Sequence, residues 1–140
     1  MNRIWSTLLA APIALAGCGG DSGPTDGGNL PPPATAPNDI RIVVGASQRT
    51  TTAYSPNPKA VSLGGSSSVA VRWINGDISG GGDYIAGTAT VHTIVSDNGA
   101  FTSSGSLGGN ATFSATLTAG SYPYHCGIHP SMVGTVTVNP

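Results

Sequence analysis

From Asp39 onward, apolar residues return at every second position in short runs, and glycine, proline, serine or asparagine closes each run. A period of two is what a strand needs when one face lies in a core and the other meets water. Val69, Val71 and Trp73 alternate with Ala70 and Arg72, and Phe113, Ala115 and Leu117 alternate with Thr112, Ser114 and Thr116. Val136 and Val138 alternate with Thr135 and Thr137. Ile42-Val43-Val44, Ala60 to Leu63, Val91 to Val95 and Tyr122 to Cys126 read as further strands. Gly64-Gly65 and Ala119-Gly120 read as turns, and residues 49–59, with two X-Pro steps, as a loop. No helical period of useful length and no internal repeat interrupts the pattern. Seven to eight short strands in about 100 residues predict an all-β fold, a Greek-key β-sandwich over residues 39–140.

Charge narrows the chemistry. The chain carries five Lys and Arg against six acids, all of them Asp, and only 8% of its 140 residues are charged. No basic run exists, which argues against nucleic acid as a partner. Paired carboxylates or a Ser/His/Asp relay would have to be assembled from very little.

The first residues read differently. Arg3 precedes the apolar stretch Ile4 to Ala16, which is shorter than the about 20 residues a membrane-spanning helix needs. It ends in Leu15-Ala16-Gly17-Cys18, which resembles a bacterial lipobox. The expectation is a lipoprotein signal peptide over 1–17, with Cys18 as the lipidated first residue of the mature chain. Residues 18–38, rich in glycine and then in proline (Pro31-Pro32-Pro33), read as a flexible tether. Such a protein would be anchored at the bacterial cell envelope, facing the periplasm or the exterior. Lipid on Cys18 leaves Cys126 as the only other Cys, an unpaired thiol in an oxidising compartment that needs another employment.

That employment is legible near the C-terminus, in Tyr122-Pro-Tyr-His-Cys126-Gly-Ile-His129-Pro-Ser-Met132. Cys126, His129 and Met132 stand three apart on one short loop between two strands. Zinc prefers four strong N, S or O donors, and a thioether is a poor one. A soft thiolate with a thioether and imidazole favours copper, and the blue-copper set requires a second His. His92 is the candidate. His125 is excluded, because neighbouring side chains of a strand point to opposite faces.

With these residues in view, the chain resembles the small blue copper proteins, or cupredoxins, of the plastocyanin, amicyanin and halocyanin kind, across Ile40 to Asn139. The likeness rests on several segments. They are Tyr54-Ser-Pro-Asn-Pro58, Val71-Arg-Trp73-Ile-Asn75-Gly-Asp77, His92-Thr-Ile-Val-Ser-Asp97, Gly120-Ser-Tyr-Pro-Tyr-His-Cys126 and Met132-Val-Gly-Thr-Val-Thr-Val138. The short ligand loop is amicyanin-like. The resemblance implies that His92, Cys126, His129 and Met132 bind one type 1 copper that shuttles one electron. Two departures stand out. Thr93 replaces the Asn that, in many relatives, ties the two ligand-bearing segments, and its hydroxyl is expected to do part of that work. Gly76 to Thr90 looks like an insertion of about ten residues against usual connections of 2–6.

The leading expectation is a monomeric, membrane-tethered electron carrier, not an enzyme, that meets redox protein partners as donor and acceptor. A copper storage or delivery lipoprotein is the alternative, and a structural lipoprotein with a degenerate site a more distant one. Gly127, Ile128, Pro130 and Ser131 give the ligand loop an uncharged rim, to which Gly45 and Gly108-Gly109 are expected to add. The insertion is expected near the same end, as a flap that shapes partner choice or as a plain surface loop.

Overall fold

The computed structural model describes residues 35–78 and 89–140. The signal peptide, Cys18, all of the tether before residue 35 and residues 79–88 of the insertion lie outside the described residues. The alternating segments form eight strands: β1 (Asp39–Ile42), β2 (Tyr54–Ser55), β3 (Lys59–Ser62), β4 (Val69–Asn75), β5 (Val95–Ser96), β6 (Thr112–Leu117), β7 (Gly120–His125) and β8 (Val133–Asn139). They pair into two four-stranded sheets, in the orders β2-β1-β4-β6 and β3-β8-β7-β5. The chain changes sheet between β2 and β3, between β3 and β4, and at each connection from β4 to β7. Strands β1 and β4 pair in parallel, as do β3 and β8; all other neighbours are antiparallel. This is the expected all-β sandwich.

Register explains which residues go inside. Directly opposed residues of an antiparallel pair share a face. Val69, Val71 and Trp73 of β4 face Leu117, Ala115 and Phe113 of β6. On the second sheet, Tyr122 and Tyr124 of β7 face Val136 and Gly134 of β8. Trp73 and Tyr124, both fully buried, meet edge to face across the sandwich with ring centroids 5.3 Å apart. Tyr54 also packs edge to face on Tyr124 at 4.9 Å, and Phe101 and Phe113 pack on Trp73 at 5.6 and 5.7 Å. Such pairs contribute about 0.5–1.5 kcal/mol each beyond the area they bury.

An ion pair joins the two central strands of the first sheet. Arg72 of β4 stands opposite Asp39 of β1 and donates to both of its carboxylate oxygens, at 3.0 and 2.6 Å. Those hydrogen bonds hold the Asp39 carboxyl below the usual range against the upward push of burial.

The structure departs from the sequence reading in local detail. The 49–59 loop follows a turn of 3-10 helix, Ala46–Gln48, and itself contains a second, Thr51–Ala53, and the short strand β2. The strand expected at Val91 to Val95 is reduced to β5 plus an isolated bridge between His92 and Leu107. His92 is fully buried while Val91 is exposed, so the alternation is real although the ladder is broken.

Gly134 shows how tight the core is. It opposes Tyr124, and a methyl group at Gly134 would run into the ring and hydroxyl of that tyrosine. The ring is fully buried and has no room to yield. Gly134→Ala should therefore destabilise the domain by about 1–3 kcal/mol, the usual cost of overpacking. Gly105→Ala, where nothing lies within reach of the added carbon, should stay within roughly 0.5 kcal/mol. Equilibrium denaturant unfolding of the two variants checks this.

Candidate metal centre

The centre begins with the β7–β8 hairpin. The register that pairs His125 with Val133 continues one step further, where the Cys126 N–H donates to the Met132 carbonyl at 3.1 Å. Opposed residues share a face, so the thiol and the thioether enter the sandwich from the same side. Both residues are fully buried. The Met132 N–H donates to the His129 carbonyl at 2.9 Å, which folds the intervening loop back on itself.

His92 arrives from another part of the chain. Its backbone exchanges hydrogen bonds with Leu107, at 3.1 and 2.8 Å. The Asn75 side chain closes β4 over the same segment, donating to the carbonyls of Thr90 and Leu107, each at 2.8 Å. Thr93 joins the two ligand-bearing segments. Its hydroxyl accepts the Gly127 N–H at 2.9 Å, and its own N–H points at the Cys126 sulfur at 3.4 Å. This is the linking work expected of Thr93.

The Nδ1 atoms of His92 and His129 both stand 3.7 Å from Cys126 Sγ. The three donor atoms lie within 4.8 Å of one another, the one such His/Cys/Asp/Glu grouping among the described residues. A metal with bonds of about 2.0 Å to N and 2.3 Å to S, at roughly tetrahedral angles, places N and S about 3.5 Å apart, close to the 3.7 Å found here. One sulfur approached equally by two imidazole nitrogens fits a shared ion better than a single hydrogen bond. Met132, buried on the same loop, completes the soft donor set expected from the sequence.

His125 faces away. Its Nδ1 hydrogen-bonds the Asp97 carboxylate at the surface, and it is not part of the donor grouping. Ile128, Val91 and Val44 are exposed, next to His129, His92 and Gly45 respectively. Gly45 reaches the site through a hydrogen bond to Asp77, and Leu107, before Gly108, through His92. Of the expected glycines, Gly45 is therefore at the ligand end.

Asp77 is the residue to which the sequence reading gave no role. Its carboxylate is buried, with Oδ2 2.9 Å from His92 Nε2 and Oδ1 2.6 Å from the Gly45 N–H. An Asp ending an apolar strand was the available signal; its partner could not be read from spacing.

The electrostatics favour ionised Cys126. Burial alone pushes its thiol up. The hydrogen bond with His92 and the backbone N–H groups of Thr93, His129 and Ile128 outweigh that and lower it from 9.0 to about 5. Burial pulls the His92 imidazole down, but the hydrogen bonds and charges of Cys126 and Asp77 prevail and raise it.

No family model and no curated protein matches the chain. Among solved structures, it is similar to one described as a novel purple cupredoxin from Nitrosopumilus maritimus. That likeness has 29% identity and a TM-score of 0.55, and covers 72% of this chain and 98% of that one. In fold it is also similar to a reduced Cu(I) form of an amicyanin mutant, at 23% identity and TM-score 0.53, over 76% of this chain and 86% of that one. A Cu(I) structure of a second amicyanin mutant gives 20% identity and TM-score 0.52, with the same coverage.

A thiol lowered this far ionises on the acid side of neutrality. In the metal-free protein, the ultraviolet absorbance of the Cys126 thiolate should rise with a midpoint near pH 5, instead of the ordinary 9.0. Loss of the His92 contact in His92→Ala should move that midpoint upward. A midpoint near 9 in the unaltered protein would show that the donors do not converge on the sulfur.

Proposed function

We propose that this chain, a small blue copper protein of the cupredoxin-like kind, holds one type 1 copper and carries single electrons at the bacterial cell envelope. The carrying observation is the equal approach of His92 Nδ1 and His129 Nδ1 to Cys126 Sγ at 3.7 Å, with Met132 buried beside them. Bound there, copper supplies a couple between Cu(II) and Cu(I). His92, Cys126 and His129 would hold it as strong donors, and Met132 as a weak one.

The protein's own contribution is rigidity. Cys126 and Met132 are fixed by the strand ladder, His92 by its Leu107 bridge, and the two segments by Thr93. A donor set that keeps its places needs little rearrangement when an electron comes or goes. The four donors leave no open position for a substrate, which supports a carrier over an enzyme. A storage or delivery role is the second reading. It would call for an exposed, loosely held site, whereas His92, Cys126 and Met132 are fully buried.

His129, half-buried, brings an imidazole edge toward the surface among exposed Gly127, Ile128, Pro130 and Ser131. This uncharged rim suits brief encounters with redox protein partners, where fast release matters more than affinity. Lipid on Cys18 would tether the monomer to a membrane, facing the periplasm or the exterior, through residues 18–38.

The copper-loaded protein should be intensely blue through charge transfer from the Cys126 thiolate, and Cys126→Ser should abolish the band. A retained band in that variant overturns the assignment. Met132→Gln should keep copper with a changed reduction potential; loss of all copper would make Met132 a primary ligand of a different kind of site.

The anchor is tested apart from the metal. Cys18→Ser should block lipidation and leave the precursor uncleaved by the lipoprotein peptidase, as followed by mass spectrometry of membrane fractions. A mature, membrane-bound Cys18→Ser protein would exclude the lipobox.

A further inference from the structure

Asp77 is a carboxylate sealed into a low-charge domain, with a side chain only 3% exposed. A buried charge is costly unless it is fully hydrogen-bonded or compensated. Its surroundings are built to hold it. Gly45, in the left-handed conformation at φ 70°, turns its N–H onto Oδ1 at 2.6 Å. The Asp77 N–H donates to the Asn75 side-chain carbonyl at 2.9 Å, and the Asp77 carbonyl accepts the Thr90 N–H at 3.1 Å. The remaining oxygen, Oδ2, is aimed at His92 Nε2 at 2.9 Å. The opposite nitrogen of the same ring, Nδ1, faces Cys126 Sγ.

Two consequences follow from that geometry. A carboxylate accepts only, so His92 must carry a proton on Nε2 and present an unprotonated Nδ1 to a metal. Counting the divalent ion, the Cys126 thiolate and the Asp77 carboxylate, the oxidised centre is neutral, and the reduced one carries an extra negative charge. A fixed anion one imidazole away from the ion therefore favours the oxidised form and makes His92 a stronger donor.

We infer that Asp77 is a positioning residue for the metal: its carboxylate locks His92 with Nδ1 toward the centre and supplies the negative charge that stabilises the oxidised ion. This rests on the type 1 copper reading of the site. In Asp77→Asn the shape is kept and the charge removed.

The experiment uses the full chain and has two arms. In the first, nitrogen-15 spectra of the metal-free Cys126→Ser protein, from which the competing thiolate is gone, report at a pH where imidazoles are neutral which nitrogen of His92 carries the proton. Nε2 is expected, and a proton on Nδ1 overturns the proposal without reference to copper or to any variant at Asp77. In the second, the blue band of the unaltered protein establishes the copper reading, and Asp77→Asn is then compared with it. The variant should show a higher reduction potential and a Cu(II) affinity reduced about 10–100-fold. A variant that is less stable but has unchanged potential and affinity would make Asp77 a structural link only and overturn the proposal. Absence of the blue band in the unaltered protein would instead sink the copper reading, with the first arm still deciding what Asp77 does to His92. If Asp77→Asn does not fold, the first arm decides alone.

Discussion

The β7–β8 ladder is the constraint from which the centre follows. It runs from Gly120 and Val138 to His125 and Val133 and ends with the hydrogen bond between Cys126 and Met132. Because side chains alternate along a strand, placing Tyr122 and Tyr124 in the core also places Cys126 there. The same alternation on β8 buries Met132 in line with Gly134, Val136 and Val138. A slip of one residue would turn His125 and Val133 inward and expel both sulfur atoms. The ladder's register is itself held by fit: the Tyr124 ring occupies the space that only glycine at 134 leaves free.

The centre is otherwise assembled from pieces that do not share a ladder. His92 lies on a bridge instead of a full strand, so its position depends on polar side chains. Asn75 fastens the backbone before and beside it, Thr93 fastens it to Gly127, and Asp77 orients its ring. Each of these groups is buried or half-buried, where a satisfied hydrogen bond is strong and an unmet one is costly. A rigid donor set on the packed Trp73–Tyr124 core, with an uncharged rim outside it, is consistent with rapid electron exchange and brief docking.

Low charge and buried charge are two sides of one design. With 8% of residues charged, the domain keeps few ionic groups, and two of its acids are buried with dedicated partners. Asp39 is matched by Arg72, across the two central strands of the first sheet. Asp77 takes the Gly45 N–H on one carboxylate oxygen and faces the His92 imidazole with the other, which places its charge one ring away from the donor set.

The sequence by itself determined the all-β class, the strands of β4, β6, β7 and β8, and the convergence of Cys126, His129 and Met132. Those features are local: alternation sets the face of each side chain, and a loop three residues from ligand to ligand cannot scatter them. Local logic also put His125 outside. Only the tertiary structure decided what approaches from far along the chain. The sheet order, the broken strand around His92 and the closure of Gly45 and His92 on Asp77 depend on packing between sheets, which spacing does not encode. His92 was found by elimination among three histidines, but its partner Asp77 was not. A carboxylate just past a strand end looks like any solvated turn residue until Gly45 and His92 close over it. The motif containing Asp77 was visible in the chain; the physical reason for its acid appears only when the His92 ring is seen between a carboxylate and a thiolate.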